Sequence, residues 1–235
     1  YNTAQKGTIT VSKSGEVFSS VMESDGVYQP VYSVSGLAGA VYEIYADENI
    51  VTLDGTIRAK KGELVGRIET GAGGSGTSGL LYLGRYKIVE KKSPFGMTLN
   101  PDPQIVELTY AGQEVDITTV SAAFYNERQK VQIDLTKVLE QDERFGIGMN
   151  GEILSVQFGL YAAEPLEAAD GSVIPKDGRL EIVSCDENGK AVFSTDIPAG
   201  AKLYVKEYST DGHYQISGQI YPVEYEYAGP VSYTH

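Results

Sequence analysis

The sequence predicts an all-β protein built as two tandem β-sandwich domains. Three observations carry this: strand-like alternation, dense turn punctuation, and an internal repeat. Thr8-Ile9-Thr10-Val11-Ser12, Val131-Gln132-Ile133-Asp134-Leu135 and Val223-Glu224-Tyr225-Glu226-Tyr227 alternate polar and apolar side chains. A period of two marks a half-buried strand. Between such runs lie Ser14-Gly15, Asp25-Gly26, Asp54-Gly55, Lys61-Gly62, Asn150-Gly151, Asp170-Gly171, Asp177-Gly178, Asn188-Gly189 and Asp211-Gly212. These pairs supply the positive φ of hairpin turns. Many short strands with frequent turns read as sandwiches or barrels. Thr136–Arg144 has room for a helical turn, bounded by Gly146 and Gly148. The glycine-rich stretch Gly71–Gly79 reads as a flexible loop, without the Gly-Lys-Ser/Thr ending of a phosphate cradle.

The repeat sets the domains. Val41-Tyr42-Glu43-Ile44-Tyr45-Ala46 matches Gln157-Phe158-Gly159-Leu160-Tyr161-Ala162, and Asp54-Gly55 matches Asp170-Gly171, at an offset of 116. Arg85–Glu90 matches Lys202–Glu207, and Tyr110-Ala111-Gly112 matches Tyr227-Ala228-Gly229, at an offset of 117. Shared order and near-constant spacing point to duplication of one β domain. The expected division is 1–128 and 129–235. The joint at Glu127–Lys130 has no Pro or Gly and reads as short and stiff.

Composition narrows the function. The chain has 235 residues, 32 Asp+Glu against 19 Lys+Arg, and a net charge of −13. Phosphate binding needs a basic surface, so a nucleic-acid partner is not expected. One Cys, Cys185, cannot form an internal disulfide, and two His leave little for zinc or Ser-His-Asp chemistry. A run of ~18 apolar residues, as a membrane span requires, is missing. Cys185 has no base near it in sequence and reads as a strand residue. Asp47, Glu48, Asn49 and Asp54 read as a solvated acidic loop, so neither metal nor cofactor is expected.

The anomaly is parity. Ile9 and Val11 share a strand face with Lys13, and Val131, Ile133 and Leu135 share one with Lys137. Tyr86 and Ile88 share a face with Glu90, and Leu203 and Val205 with Glu207. Val120, Ala122 and Phe124 share a face with Asn126. The plain reading is that each apolar face ends just before its polar residue, which then lies at the rim. Against it, Lys and Glu recur at equivalent places in both repeats. A buried Lys loses charge and becomes a nucleophile, and a buried acid can shuttle protons. Lys13, Glu90 and Asn126 could therefore form a Lys–Asn isopeptide bond, driven by the effective molarity of a fixed geometry.

At these residues the sequence resembles the Cna B-type domains (SpaA-like, prealbumin-like) of Gram-positive surface proteins and pilins. The resemblance rests on Gly7–Lys13, Leu37–Tyr45, Leu83–Glu90 with Ser93-Pro94-Phe95-Gly96, and Phe124-Tyr125-Asn126-Glu127-Arg128. It implies that Lys13 and Asn126 bond and that Glu90 promotes the reaction. It also implies an extracellular, cell-wall-anchored protein without enzymatic turnover, whose partners are neighbouring domains or pilus subunits. In the second repeat Lys137 and Glu207 have their places but the Asn does not. Asn126 lies 14 residues after Gly112, and the equivalent point after Gly229 is residue 243. Either the sequence stops short of the last strand, with Val231–Thr234 its beginning, or this domain has lost the bond; the first is preferred. The expected function is a stalk or shaft segment of an adhesin or pilin. The alternative is an adhesin module that grips a host protein or glycan through its loops, with Asp47–Gly79 as the longest candidate.

Overall fold

The computed structural model describes residues 3–229. The chain divides into two compact units. Of the described residues, unit 1 contains 3–16, Val34–Gln129 and 228–229, and unit 2 contains Val17–Ser33 and Lys130–Tyr227. Eleven strands begin the chain: β1 (Lys6–Ser24), β2 (Val27–Gly36), β3 (Val41–Ala46), β4 (Ile50–Val51), β5 (Ile57–Ala59), β6 (Leu64–Glu69), β7 (Ser75–Thr77), β8 (Leu81–Tyr82), β9 (Gly84–Lys92), β10 (Gln104–Leu108) and β11 (Ile117–Tyr125). Eight follow: β12 (Ile133–Thr136), β13 (Gln157–Ala162), β14 (Leu166–Glu167), β15 (Val173–Ile174), β16 (Arg179–Ser184), β17 (Lys190–Phe193), β18 (Lys202–Ser209) and β19 (Ile220–Glu224).

In unit 1, β1 pairs in parallel with β11, Lys6–Ser14 lying along Ile117–Tyr125. Its other edge pairs with β7 and β8, antiparallel. The second sheet runs β10-β9-β3-β6. Ile9, Val11, Ala122 and Phe124 of the first sheet meet Tyr42, Ile44, Ile68, Tyr86 and Ile88 of the second in one apolar core. The alternation of β1 decides which side chains enter. Ile9, Val11, Lys13 and Gly15 are buried, while Thr8 and Thr10 face outward and meet the hydroxyls of Thr119 and Thr77. Such cross-strand pairs fix register.

The glycine-rich stretch is a packed element rather than a loose loop. A Cβ on Gly74 would sit 2.4 Å from the Lys13 carbonyl oxygen, and one on Gly76 2.5 Å from the Glu69 carbonyl oxygen. Glycine is required because two backbones approach too closely for a side chain. The Lys13 N–H donates to the Gly74 oxygen at 2.6 Å, so this stretch fixes the backbone of the inward lysine. Gly15 also differs from the reading as a turn. It lies within β1, and its Cβ would sit 2.8 Å from the Asn126 carbonyl oxygen.

In unit 2, β13 lies between β16 and β18, with β19 beyond β18. β12 pairs with β17. The core gathers Val156, Phe158, Leu160, Leu180, Phe193, Leu203 and Val205. Thr136–Arg144 holds no helical turn: Thr136 ends β12, and the one short 3-10 turn among the described residues is Glu152–Ser155. Cys185 is buried but lies just beyond β16. Val131 is 37% exposed and precedes β12, so the inward face expected of it starts only at Ile133. Residues 231–234, read as an interrupted strand, lie outside the described residues.

The two units differ from a division into 1–128 and 129–235 chiefly in Val17–Ser33, which groups with unit 2, and at Ala228, which returns to unit 1. Val17–Ser24 and Val27–Ser33 form a hairpin that belongs to unit 2. Its turn, Asp25-Gly26, has φ of 52° and 72° at its two centres, the positive pair of a type I′ hairpin. Phe18, Val21 and Tyr28 pack on the second core. The N–H groups of Ala169 and Asp170 donate to the carbonyls of Phe18 and Ser19 at 3.0 and 3.1 Å, and the Val21 N–H donates to Ser172 Oγ at 2.8 Å. Local pattern announced a hairpin here, but not which core it would cover. The chain thus passes between the units after Glu16, Ser33, Gln129 and Tyr227. Phe18→Ala should destabilise unit 2 by about 1–3 kcal/mol, the range for losing most of a buried aromatic. Amide hydrogen exchange should accelerate in β13 and β18 while β3 and β9 stay protected. Unchanged exchange in β13 and β18 would show that the hairpin contributes nothing to the second core.

Candidate functional site

Three strands of unit 1 bring Lys13, Glu90 and Asn126 together. Lys13 is the last inward side chain of β1 before Gly15, and it pairs in register with Phe124 of β11. Asn126 follows β11 directly, and its N–H donates to the Ser14 carbonyl at 3.1 Å. Glu90 is inward on β9, opposite Tyr42 of β3. The exposures are 1% for Lys13, 2% for Glu90 and 1% for Asn126. All three sequence-predicted residues of this repeat therefore face one another inside the unit.

The contacts form a closed triangle. Lys13 Nζ lies 3.1 Å from Glu90 Oε1 and donates to Asn126 Oδ1. Asn126 Nδ2 donates to Glu90 Oε1 at 2.9 Å and Oε2 at 3.1 Å. The Asn100 N–H donates to Glu90 Oε2 at 2.7 Å, and the Tyr42 hydroxyl to Oε1 at 3.4 Å. Tyr42 in turn packs on Phe124, with ring centroids 4.7 Å apart, which walls the cluster from solvent.

Burial governs the electrostatics. Desolvation draws the Lys13 amine below the ordinary lysine pKa, and the attraction of Glu90 offsets only part of this. Burial, with Glu90 beside it, raises the Tyr42 phenol well above its usual range, so it remains a neutral donor. An amine poised toward its neutral form, touching a side-chain amide held by a carboxyl group, has the components of amide exchange.

Unit 2 holds half of this arrangement. Lys137 Nζ lies 3.3 Å from Glu207 Oε2, and the Ser217 N–H donates to that same oxygen at 3.1 Å. Glu207 Oε1 is buried and has no hydrogen-bond partner among the described residues. The Lys137 side chain is 26% exposed, against 0% for Lys13. Lys137 and Glu207 are thus adjacent, but no Asn completes the triangle within the described residues.

A family model described as SpaA, prealbumin-like fold domain, matches residues 32–122. Residues 32–122 are thus similar to a SpaA-type prealbumin-like domain. The match includes Tyr42 and Glu90, whereas Lys13 and Asn126 flank it. Among solved structures, the Bacillus anthracis TIE protein aligns with 96% of this chain and 32% of its own, at 20% identity and a TM-score of 0.58. The chain therefore spans about a third of that structure's length. A streptococcal ancillary pilin aligns at 17% identity over 95% of this chain and 59% of its own, TM-score 0.34. The major pilin subunit of Bacillus cereus aligns at 15% identity over 97% and 69%, TM-score 0.36. A comparison with curated protein sequences found no match.

The buried site has two further partners that parity did not reveal. Tyr42 is visible in sequence only as a repeat position, where its counterpart Phe158 lacks the hydroxyl. The Asn100 donor is a backbone N–H, which side-chain identity cannot signal. Replacing Asn126 by Ala should leave Lys13 a free amine and make stability pH-dependent. The folded pKa of Lys13 lies below its unfolded value, so the unfolded chain binds more protons between the two. Stability of Asn126→Ala should rise as pH increases toward 10.5 and level off above it, in urea titrations across that range. A flat profile would show that Lys13 folds without a desolvation cost.

Proposed function

We propose that this chain is a structural segment, a stalk or shaft, of a Gram-positive surface adhesin or pilin. In this reading unit 1 is stiffened by a self-formed isopeptide bond between Lys13 and Asn126. The observation that carries it is the buried triangle of amine, carboxyl and carboxamide. The attacking form is the neutral Lys13 amine, toward which burial draws it. Nζ attacks Asn126 Cγ, Glu90 relays one proton from Nζ to the departing Nδ2, and ammonia leaves. One C–N bond forms and one breaks, so no oxidant or cofactor is consumed. The product is a neutral amide, which removes the cost of a buried amine. It is a single event without turnover, so the chain is not an enzyme in the usual sense.

The bond would close a span of 113 residues. In the loop-entropy account such a cross-link stabilises by roughly 4–5 kcal/mol. Reductants leave an amide intact, which suits an exposed fibre. An extracellular, wall-anchored location and assembly with neighbouring domains or pilin subunits belong to this same reading. The alternative host-binding module would need a concave or aromatic loop surface. Asp47–Gly79 contains no aromatic residue and folds into short paired strands, which favours the structural role.

Intact-mass spectrometry tests the bond. The unmodified chain should be one ammonia lighter than the sum of its residues. Lys13→Ala and Asn126→Ala should restore full mass and lower the unfolding temperature of unit 1 by on the order of 15–25 °C. Glu90→Ala should leave most molecules unreacted. A chain at full mass would leave the triangle as a buried polar cluster and remove the reading.

A further inference from the structure

Two of the turn pairs, Asn150-Gly151 and Asn188-Gly189, place a side-chain amide directly before a glycine. An Asn Cγ lies within reach of the backbone nitrogen that follows it, and glycine puts no Cβ in the way. Attack by that nitrogen closes a five-membered succinimide ring, an intramolecular step favoured by proximity. It proceeds only where the nitrogen and the backbone around it are free to move.

The two turns differ on this point. Asn188 and Gly189 lie between β16 and β17. The Gly189 N–H donates to the Asp186 carbonyl at 2.9 Å, and the Gly189 carbonyl accepts from the Lys137 N–H at 2.8 Å. Asp186 Oδ1 also accepts from the N–H groups of Asn188 and Lys190, both at 2.8 Å. Gly189 is buried, and a Cβ there would sit 2.1 Å from the Lys137 carbonyl oxygen. The attacking nitrogen is thus occupied, and its surroundings leave no room for rotation.

At the other turn the nitrogen is free. Gly151 is exposed, and a Cβ on it would meet only Leu154, at 3.8 Å. Its N–H has no hydrogen-bond acceptor among the described residues. The Asn150 side chain is exposed as well, and its Nδ2 donates to the Gly146 carbonyl at 2.6 Å. Beside it is the Glu152 carboxylate, 3.5 Å from Nδ2, which accepts from the N–H groups of Gly148 at 3.1 Å and Asn150 at 2.7 Å. One amide donor and one carboxylate therefore hold the loop 146–152.

We propose that Asn150 is a site of self-modification, cyclising onto Gly151 and opening to aspartate and isoaspartate, while the fold holds Asn188 inert. The Gly151 nitrogen gives its proton to solvent hydroxide and bonds to Asn150 Cγ. The Cγ–Nδ2 bond breaks, and ammonia leaves with a proton from water. Water then adds to one of the two ring carbonyls. Opening at Cγ gives aspartate, and opening at the main-chain carbon gives isoaspartate. Either product has a carboxylate where the amide was, so the donor to the Gly146 carbonyl is lost and a second negative charge stands beside Glu152. Like charges at such a separation repel, and the loop 146–152 loosens. The proposal is independent of the Lys13–Asn126 bond.

The test is to incubate the folded full chain in mildly alkaline buffer, digest it at acid pH, where cyclisation is slow, and map the peptides by chromatography and mass spectrometry. The peptide with Asn150 should gain the mass of water less ammonia and split into two forms. The peptide with Asn188 should convert at least about tenfold more slowly, the effect of giving up two hydrogen bonds at Gly189. In denaturant the two should convert at similar rates, because the residue pairs are the same. Asn188 reacting as fast as Asn150 in the folded chain, or Asn150 reacting only once unfolded, would overturn the proposal. N150D should speed amide exchange at Gly148 and at position 150, and unchanged exchange there would overturn the loosening of the loop. The succinimide is itself one ammonia lighter, but it maps to a single linear peptide, whereas a Lys13–Asn126 bond joins two.

Discussion

The contact on which unit 1 depends is the burial of Lys13 against Glu90 and Asn126. An amine and a carboxyl group at 0% side-chain exposure could not persist in an apolar core without each other. Their pairing requires β1, β9 and the end of β11 to converge, and so it fixes both sheets at once. The Gly74 carbonyl, the Asn100 N–H and the Tyr42 hydroxyl then hold the backbone and the carboxylate in place. Removing any of the three central groups would leave a buried polar atom exposed to the cost the others now offset.

The two repeats show how one frame can present the same residues in different states. Lys137 and Glu207 occupy the places of Lys13 and Glu90, and they too are in contact. What differs is the third strand. With β11 present, the lysine is sealed and the carboxylate has all its donors. Among the described residues no strand lies beside β12 opposite β17, the Lys137 side chain is 26% exposed, and Glu207 Oε1 has no hydrogen-bond partner. The burial of the Lys–Glu pair therefore follows the strand that closes over it, as β11 does over Lys13 and Glu90.

Much of this was legible in sequence because a strand's period of two converts residue order into facing. Parity alone placed Lys13, Glu90 and Asn126 on inward faces, and the repeat paired Lys137 with Glu207. What parity cannot express is tertiary choice. Asp25-Gly26 turns as a hairpin should, yet Phe18, Val21 and Tyr28 on its two strands cover the core of unit 2. Gly71–Gly79 looks like a flexible loop by composition, but Gly74 and Gly76 are needed because backbones meet there at distances no Cβ could tolerate. Ser14-Gly15 reads as a turn signal, yet Gly15 sits in mid-strand under the Asn126 carbonyl for the same reason. In each case a long-range contact overrode a local signal.

The hairpin has a consequence for how such a protein can be inherited and recombined. Duplicated domains joined by one crossing are interchangeable parts: a genetic crossover at the junction delivers a whole folding unit. Here Phe18, Val21 and Tyr28 complete a core whose other residues lie more than a hundred positions later in the chain. A crossover near Gln129 would transplant unit 2 without the segment that covers it, and would leave the donor with an orphaned apolar arm. The pair is interleaved, so selection acts on it as one heritable block.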